Sequence, residues 1–486
     1  MPSKQTLRQI FIGFSLTMCS VSDGLIFGQM SGMIDALRQE DRDVPLTEDD
    51  ISFIASIINI MCICGYAVVG VISEYFGRRK AITLISLPVC LTWILVYLAH
   101  DKVTLIFTRI ILGISFGGIL WVVYISVGEY KSPDVRVLYL NLISSVGTLV
   151  GVTTGHLLCI ILHWRQVALI AIIPTALSAF LPLFWVESPV WLATKGRFEE
   201  CKEAFWKLHV FSDSSENELR LLISYERQKQ SERRSNPSRH FFGKKFLLTM
   251  NTKYFWKISA IASIVCICRV ASGRVLFSTL AITMLHDITG TSDIFLFTLV
   301  LDGFVIIGSL LSWYFLNKFK IRQLFFTSGM VANVCLVTFS LCLYFYPGSD
   351  YYLSWIKISL LALYFVIQAA GTYPVLEGLL AEIFPVDLKT YFVVIIGLLA
   401  GTSQFLSVKL TPYIISRIGY HGLFLLNGGI IFFCMAYLWF SLPETKGRSL
   451  HEIEYYFKNN TFNYNEEFES TEKSSKLLVD NSCVEK

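Results

Sequence analysis

Long apolar segments separated by short polar ones dominate the pattern of this sequence. A helix needs roughly 20 apolar residues to cross the hydrocarbon core of a bilayer, and about twelve such segments can be placed. Because backbone polar groups inside a bilayer must be paired within the chain, continuous runs of this length predict helices. The sequence therefore predicts an all-α polytopic membrane protein. The predicted spans lie near residues 9–28, 52–73, 81–99, 103–127, 138–162, 166–186, 256–285, 294–316, 324–346, 355–381, 391–416 and 422–442.

The composition agrees with lipid as the main solvent of the chain. Of the 486 residues, 54% are hydrophobic and only 16% are charged, which is too apolar for a soluble domain. The formal net charge of +4 is small, and it does not imply nucleic acid as a partner. The pairs Cys62/Cys64 and Cys266/Cys268 lie in apolar runs without nearby histidines. We therefore expect core packing there, and neither a metal, a cofactor nor a disulfide framework.

One long polar segment divides the chain into two halves of six spans each. Two pseudo-symmetric bundles around a site at the membrane midplane are typical of secondary transporters that work by alternating access. No P-loop, activated nucleophile or metal constellation is visible, so we do not expect an enzyme. The predicted parts are a six-helix bundle at 1–186, a linker at 187–254, a second six-helix bundle at 255–442 and a tail at 443–486.

The basic residues predict the orientation in the membrane. Clusters such as Arg78-Arg79-Lys80 and Lys318/Lys320/Arg322 fall on the same side as the linker when the spans are threaded in order. By the positive-inside rule that side is the cytosol. We expect both termini there, with the chain as a multi-pass protein of the plasma membrane.

A charged turn, Glu74-Tyr75-Phe76-Gly77-Arg78-Arg79-Lys80, follows the second apolar segment. Gly77 permits a tight turn, and the arginines can pair with carboxylates at neighbouring helix ends, such as Glu129. If such pairs break when the protein changes from one state to another, they would act as a gate on that side of the membrane. Snorkelling of the same side chains to the membrane interface is the alternative. The predicted gating network on this basis contains Glu74, Arg78, Arg79, Arg109, Glu129 and Arg136.

Several motifs resemble those of one family of transporters. The Gly77-Arg78-Arg79 turn resembles the D-R-x-G-R-R loop of major facilitators, and the segments 186–192 and 442–450 resemble the PESPRWL and PETKG motifs of the sugar porter family. Residues 381–385 resemble its sEifP motif. Within that family the chain resembles the branch of facilitated trehalose and glucose transporters. The resemblance implies a major facilitator fold with 12 transmembrane helices, and it adds Glu187, Glu382, Lys389 and Glu444 to the gating network.

The chain departs from the family where sugars are bound. The seventh-span QQxSGxN pattern reads Arg269-Val270-Ala271-Ser272-Gly273-Arg274-Val275, and Glu377 stands at the place of a tenth-span tryptophan. An unpaired charge inside a span is costly, so we expect one of the two arginines to pair with Glu377 across a central cavity. Such a pair would either bind a polar solute or act as a structural lock. The candidate substrate-binding residues are Ser144, Arg269, Arg274, Gln368, Glu377 and Asn427.

The mode of transport follows from the first span. In proton-coupled members of the family an acid commonly follows the first-span Gly-Tyr, and here Met30 stands at that place. A methionine cannot take a proton, so we predict facilitated (uniport) transport of a sugar such as trehalose or glucose. Asp23 could substitute for the missing acid, because it lies on nearly the same helix face. Transport of another polar organic solute and a non-transporting nutrient sensor are the alternatives.

Overall fold

The computed structural model describes residues 4–38, 46–131, 139–209, 211–235, 253–291, 293–348, 350–383, 389–446 and 455–457. The N-terminal half consists of six long helices. In chain order these are α1 (Lys4–Arg38), α2 (Glu48–Phe76), α3 (Arg78–Tyr97), α4 (Lys102–Tyr130), α5 (a π-helical turn Asn141–Val146 and the α-helix Gly147–Ile161) and α6 (Trp164–Phe180, extended by the 3-10 turn Leu181–Phe184).

Three shorter helices follow in the linker, and the C-terminal half contains two spans that are broken in the middle. The linker helices are α7 (Pro189–Thr194), α8 (Phe198–Leu208) and α9 (Asp213–Ser235). Span seven is formed by α10 (Lys253–Ala271) and α11 (Arg274–Thr289). The remaining helices are α12 (Phe295–Lys318), α13 (Ile321–Phe345), α14 (Tyr351–Ile367) with the π-helical turn Gln368–Thr372, α15 (Tyr373–Glu382) and α16 (Lys389–Ser441).

Eleven helices of the described chain are long and apolar enough to cross a membrane. The last apolar stretch, Gly397–Ser441, has 45 residues, whereas about 20 suffice for one crossing. Gly419 breaks this stretch with φ 68° and ψ 178°, so it supplies two crossings and the total is twelve. The prediction of an all-α polytopic protein is confirmed.

Local chemistry fixes where the helices begin. Thr47 caps α2 through a reciprocal box with Asp50, in which each side chain accepts a hydrogen bond from the other residue's backbone N–H. Asp101 caps α4 without such a box, by accepting from the backbone N–H of Thr104 at 2.8 Å. Gly77, with φ 88°, makes the single-residue turn between α2 and α3, a conformation in which other residues are strained.

Small residues let α1 and α5 pack backbone against backbone. Gly24 and Gly28 on α1 face Gly151 and Gly155 on α5, and a Cβ atom at Gly28 would overlap the carbonyl oxygen of Val152. Small residues four positions apart are a common device for helix packing in membranes, because they allow close backbone approach.

The linker helices define one side of the molecule. The side chain of Gln9 at the start of α1 donates to the carbonyl of Leu208 at the end of α8 at 2.9 Å. The side chain of Trp191 on α7 donates to the carbonyl of Glu74 near the end of α2 at 2.9 Å. We call this side the linker side and the opposite one the far side.

Candidate functional site

The break in span seven brings two arginines together between the halves. Gly273 adopts a left-handed conformation with φ 73°, so α10 ends just before it and α11 begins just after it. The hydroxyl of Tyr364 on α14 donates to the carbonyl of Ser272 at 2.7 Å, which satisfies a backbone group that the break leaves unpaired. Arg269 and Arg274, on opposite sides of the break, both lie over the ring of Tyr373.

Glu377 on α15 pairs with Arg269. Nη2 of Arg269 lies 3.5 Å from Oε1 of Glu377, and Nε of Arg269 donates to the hydroxyl of Tyr373 at 3.3 Å. The two charged side chains are 32% and 28% exposed, so the pair is partly accessible and not sealed in packing. This is the pairing that the sequence suggested, and the structure selects Arg269 as the partner.

Arg274 has a different environment from Arg269. Its guanidinium lies 4.2 Å from the centre of the Tyr373 ring, which is a cation–π contact. Among the residues that the structure describes, no carboxylate lies within ion-pair distance of it. The charge of Arg274 is therefore uncompensated in this part of the chain.

The N-terminal half faces this cluster with hydroxyl groups. The phenol of Tyr124 on α4 lies near the side chain of Ser144 and within electrostatic reach of Arg269 and Glu377. Tyr66 on α2 also lies within electrostatic reach of Arg269. Neither tyrosine was identified from the sequence, because the chain has 22 tyrosines and their pattern does not mark those that face the cavity.

The two candidate amides lie beside the helix break. Gln368 is buried in the π-helical turn and donates through Nε2 to the Tyr364 hydroxyl at 3.3 Å, while its Oε1 has no described partner. Asn427 on α16 lines a small pocket that also includes Ser272, Gly273 and Tyr364. Gln368 therefore supports the break, whereas the pocket beside Asn427, at about 10 Å³, has room for about one water and not for a solute.

A second charged cluster lies on the linker side. Arg78 makes a bidentate pair with Glu129, with Nε to Oε2 at 2.9 Å and Nη2 to Oε1 at 2.6 Å. The carboxylate of Glu187 accepts from the backbone N–H groups of Arg78 at 3.1 Å and Ser188 at 3.0 Å. Glu187 thus caps the start of α3, where a negative charge also suits the helix dipole. Arg79 donates to the carbonyl of Trp185 at 2.8 Å.

The C-terminal half repeats this capping arrangement. Glu444 accepts from the backbone N–H groups of Ile321 at 3.0 Å and Arg322 at 3.1 Å, at the start of α13. The side chain of Arg322 donates to the carbonyl of Trp439 at 2.7 Å. The related Glu-Ser and Glu-Thr motifs that close the two halves therefore each cap the start of a helix through their glutamate.

Not all predicted members of the gating network meet there. Arg109 is fully buried toward the far side and donates to Gln29 on α1 at 2.9 Å, so the structure does not bring it to Glu129. The side chain of Glu74 is exposed, and its contact with α7 is made by the backbone. Arg136 and the side chains of Glu382 and Lys389 lie outside the described residues.

A buried His–Asp pair joins the two halves. Nδ1 of His156 on α5 lies 2.8 Å from Oδ2 of Asp302 on α12, and its Nε2 lies 3.0 Å from the carbonyl oxygen of Ser278 on α11. The side chains are 0% and 6% exposed. Each residue is therefore the other's partner across the two halves.

Comparison with known proteins identifies this architecture. The fold is that of the major facilitator superfamily, since the inward-open xylose transporter XylE from E. coli superposes with a TM-score of 0.73 at 17% identity, over 92% of this chain and 99% of that one. XylE bound to 6-bromo-6-deoxy-D-glucose, described as a proton:xylose symporter, gives a TM-score of 0.72 at 18% identity, over 93% and 100% of the two chains. Residues 11–457 match the family described as "Sugar (and other) transporter". The chain belongs to that family.

Relatives in the family are membrane transporters and not enzymes. The facilitated trehalose transporter Tret1 of Bombyx mori is 24% identical over 473 residues, which cover 93% of this chain and 88% of the relative. The sugar transporter ERD6-like 6 of Arabidopsis thaliana is 24% identical over 476 residues, covering 94% and 93%. The predicted resemblance to sugar porters is confirmed.

Proposed function

We propose that the chain is a uniporter that carries a sugar such as trehalose or glucose across the plasma membrane by alternating access. The observation that carries this proposal is the partly exposed Arg269–Glu377 pair, which faces Tyr124 and Ser144 from the other half. A solute between them would contact both halves, as alternating access requires. The proposal also includes a cytosolic linker side and cytosolic termini.

Two observations favour uniport over proton symport. Met30, at the place where proton-coupled relatives carry an acid, has no ionisable group. Of the two acids on α1, Asp23 is 2% exposed and therefore sealed away from solvent, and Asp35 is paired with His286 at 3.2 Å. We also propose that the Arg78–Glu129 pair and the Glu187 and Glu444 caps hold the linker-side gate, together with Glu382 and Lys389.

Uptake into proteoliposomes tests the proposal. Purified protein is reconstituted, and uptake of radiolabelled trehalose and glucose is measured at external pH 6.0 and 7.5, with and without a protonophore. We expect saturable uptake that is unchanged by pH or the protonophore. Glu377→Gln should reduce it, because Arg269 loses its countercharge, whereas Glu203→Gln on the exposed face of α8 should not.

The outcomes separate the alternatives. Uptake that rises at pH 6.0 and collapses with the protonophore would replace uniport by symport. Failure of both sugars to enter, with folded protein in the liposomes, would overturn the sugar assignment and favour another solute or a sensor. For the orientation, tags at the two termini should be protected from antibody until cells are permeabilised.

A further inference from the structure

The charges of the central site do not balance. Arg269 is compensated by Glu377, whereas Arg274 lies over the face of the Tyr373 ring and has no carboxylate at ion-pair distance among the described residues. A guanidinium cannot lose its proton in a protein, so Arg274 remains positive whatever the pH. A positive charge inside a membrane protein faces a water-filled cavity or finds an anion.

The acids on the surrounding helices are engaged elsewhere. Asp302 is bound to His156, and Asp35 on α1 contacts His286 at 3.2 Å. Asp23 is buried in the N-terminal half near Cys19 and Cys62. Within the described chain, the countercharge of Arg274 is therefore not supplied by these acids.

The contact with Tyr373 leaves Arg274 ready to bind a carboxylate. An arginine that lies over an aromatic ring uses the face of its guanidinium, so its N–H groups, which lie in the plane, stay available. Two such N–H groups match the spacing of two carboxylate oxygens. The ring thus holds the fork in place before the ligand arrives, which reduces the entropy lost on binding.

We propose that this transporter also takes, and prefers to a neutral sugar, an acidic sugar such as a uronic acid, whose carboxylate is bound by Arg274 while its hydroxyl groups meet Tyr124 and Ser144. This inference rests on the proposed function and adds a preferred substrate class to it. A carboxylate fits better than a phosphate dianion, because Arg269 is already neutralised by Glu377 and only one free positive charge remains.

Competition for sugar uptake tests the inference. Uptake of radiolabelled glucose into proteoliposomes is measured at pH 7.5 against unlabelled glucuronate, glucose and glucose 6-phosphate. We expect glucuronate to compete at about a tenfold lower concentration than glucose, which corresponds to about 1.4 kcal/mol. In Arg274→Gln this preference should fall to about onefold, while Arg274→Lys, which keeps the charge but loses the fork, should retain part of it.

Arg417 provides a matched control, because its guanidinium lies 5.4 Å from the centre of the Tyr413 ring on the same helix, α16. Arg417→Gln should leave the preference for glucuronate unchanged. Saturable glucose uptake with no preference for glucuronate would overturn the inference and leave the proposed function standing. Stronger competition by glucose 6-phosphate would overturn the choice of a carboxylate. Failure of glucose, trehalose and labelled glucuronate to enter would overturn both proposals.

Discussion

The buried pair of His156 and Asp302 allows a quantitative test of how the two halves are held together. His156→Leu would leave the Asp302 carboxylate, 6% exposed, without its partner, and the carbonyl of Ser278 without its contact. Removing one member of a buried charged pair typically costs about 3–5 kcal/mol, because the other stays buried and unpaired. Asp302→Leu should have a similar cost.

The double variant should recover most of the loss. When both members are replaced by apolar side chains, no orphaned charge remains, and such replacements are often close to neutral. We expect His156→Leu/Asp302→Leu to melt above either single variant, which requires a favourable coupling free energy larger than the cost of one substitution, at least about 3–5 kcal/mol. Thermal unfolding in detergent, followed by tryptophan fluorescence, measures all four proteins.

A second contact across the same helix pair serves as a control. Asn141 on α5 donates to the carbonyl of Ser309 at 3.0 Å and to the hydroxyl of Ser312 at 3.1 Å, both on α12. These groups are neutral, so Asn141→Ala should cost only about 1 kcal/mol. If the effects of the two Leu substitutions simply add, or if Asn141→Ala is as harmful as His156→Leu, the argument from an orphaned charge is wrong.

Three further predictions concern the fold. Glu187→Gln and Glu444→Gln should each reduce the free energy of unfolding by a similar small amount, about 1 kcal/mol, and lower the melting temperature accordingly, because both carboxylates cap a helix. Gly28→Val should abolish folded expression because a Cβ there meets the α5 backbone, whereas Gly70→Ala, which faces open space, should be tolerated in a fluorescent-tag expression assay. Burial raises the pKa of the Cys201 thiol on α8 to about 11, so at pH 7.5 it stays protonated and maleimide should label it only after denaturation.

The spans were predictable, but the details of the broken ones were not. Hydrophobic runs located all the crossings, including the two that α16 joins, since the polar residues Arg417 and His421 separate the two runs at the point where Gly419 breaks the helix. The relation between Arg269 and Arg274 could not be read from the sequence. On a continuous helix residues five apart point about 140° away from each other, and only the left-handed Gly273 turns both toward Tyr373.

The sequence alone could have excluded Arg109 from the cluster that contains Glu129. Arg109 and Glu129 lie on one helix, α4, and twenty residues of helix span about 30 Å, so the two could never share one cluster. The role of Glu187 could not have been foreseen in the same way. The resemblance placed it in the gating network, but its oxygen accepts from backbone N–H groups, which carry no signal in the sequence.

The unequal contributions of the two halves lead to a last prediction. The charges of the central site lie on the C-terminal half, and the N-terminal half adds the hydroxyl groups of Tyr124 and Ser144. A ligand shifts a conformational equilibrium only as far as it binds one state better than another. Arg274 moves with its own half and can hold the solute in every state, whereas contacts with the other half change as the halves rock.

We therefore expect the two kinds of residue to affect transport differently. Arg274→Gln should raise the concentration for half-maximal uptake of the preferred solute about tenfold with a smaller change in maximal rate, as expected when a charge-assisted contact is lost from all states alike. Tyr124→Phe should mainly lower the maximal rate, because it removes a contact formed only when the halves close on the solute. Initial rates across a range of solute concentrations separate the two effects. The division of roles between the halves is wrong if both substitutions change the same parameter.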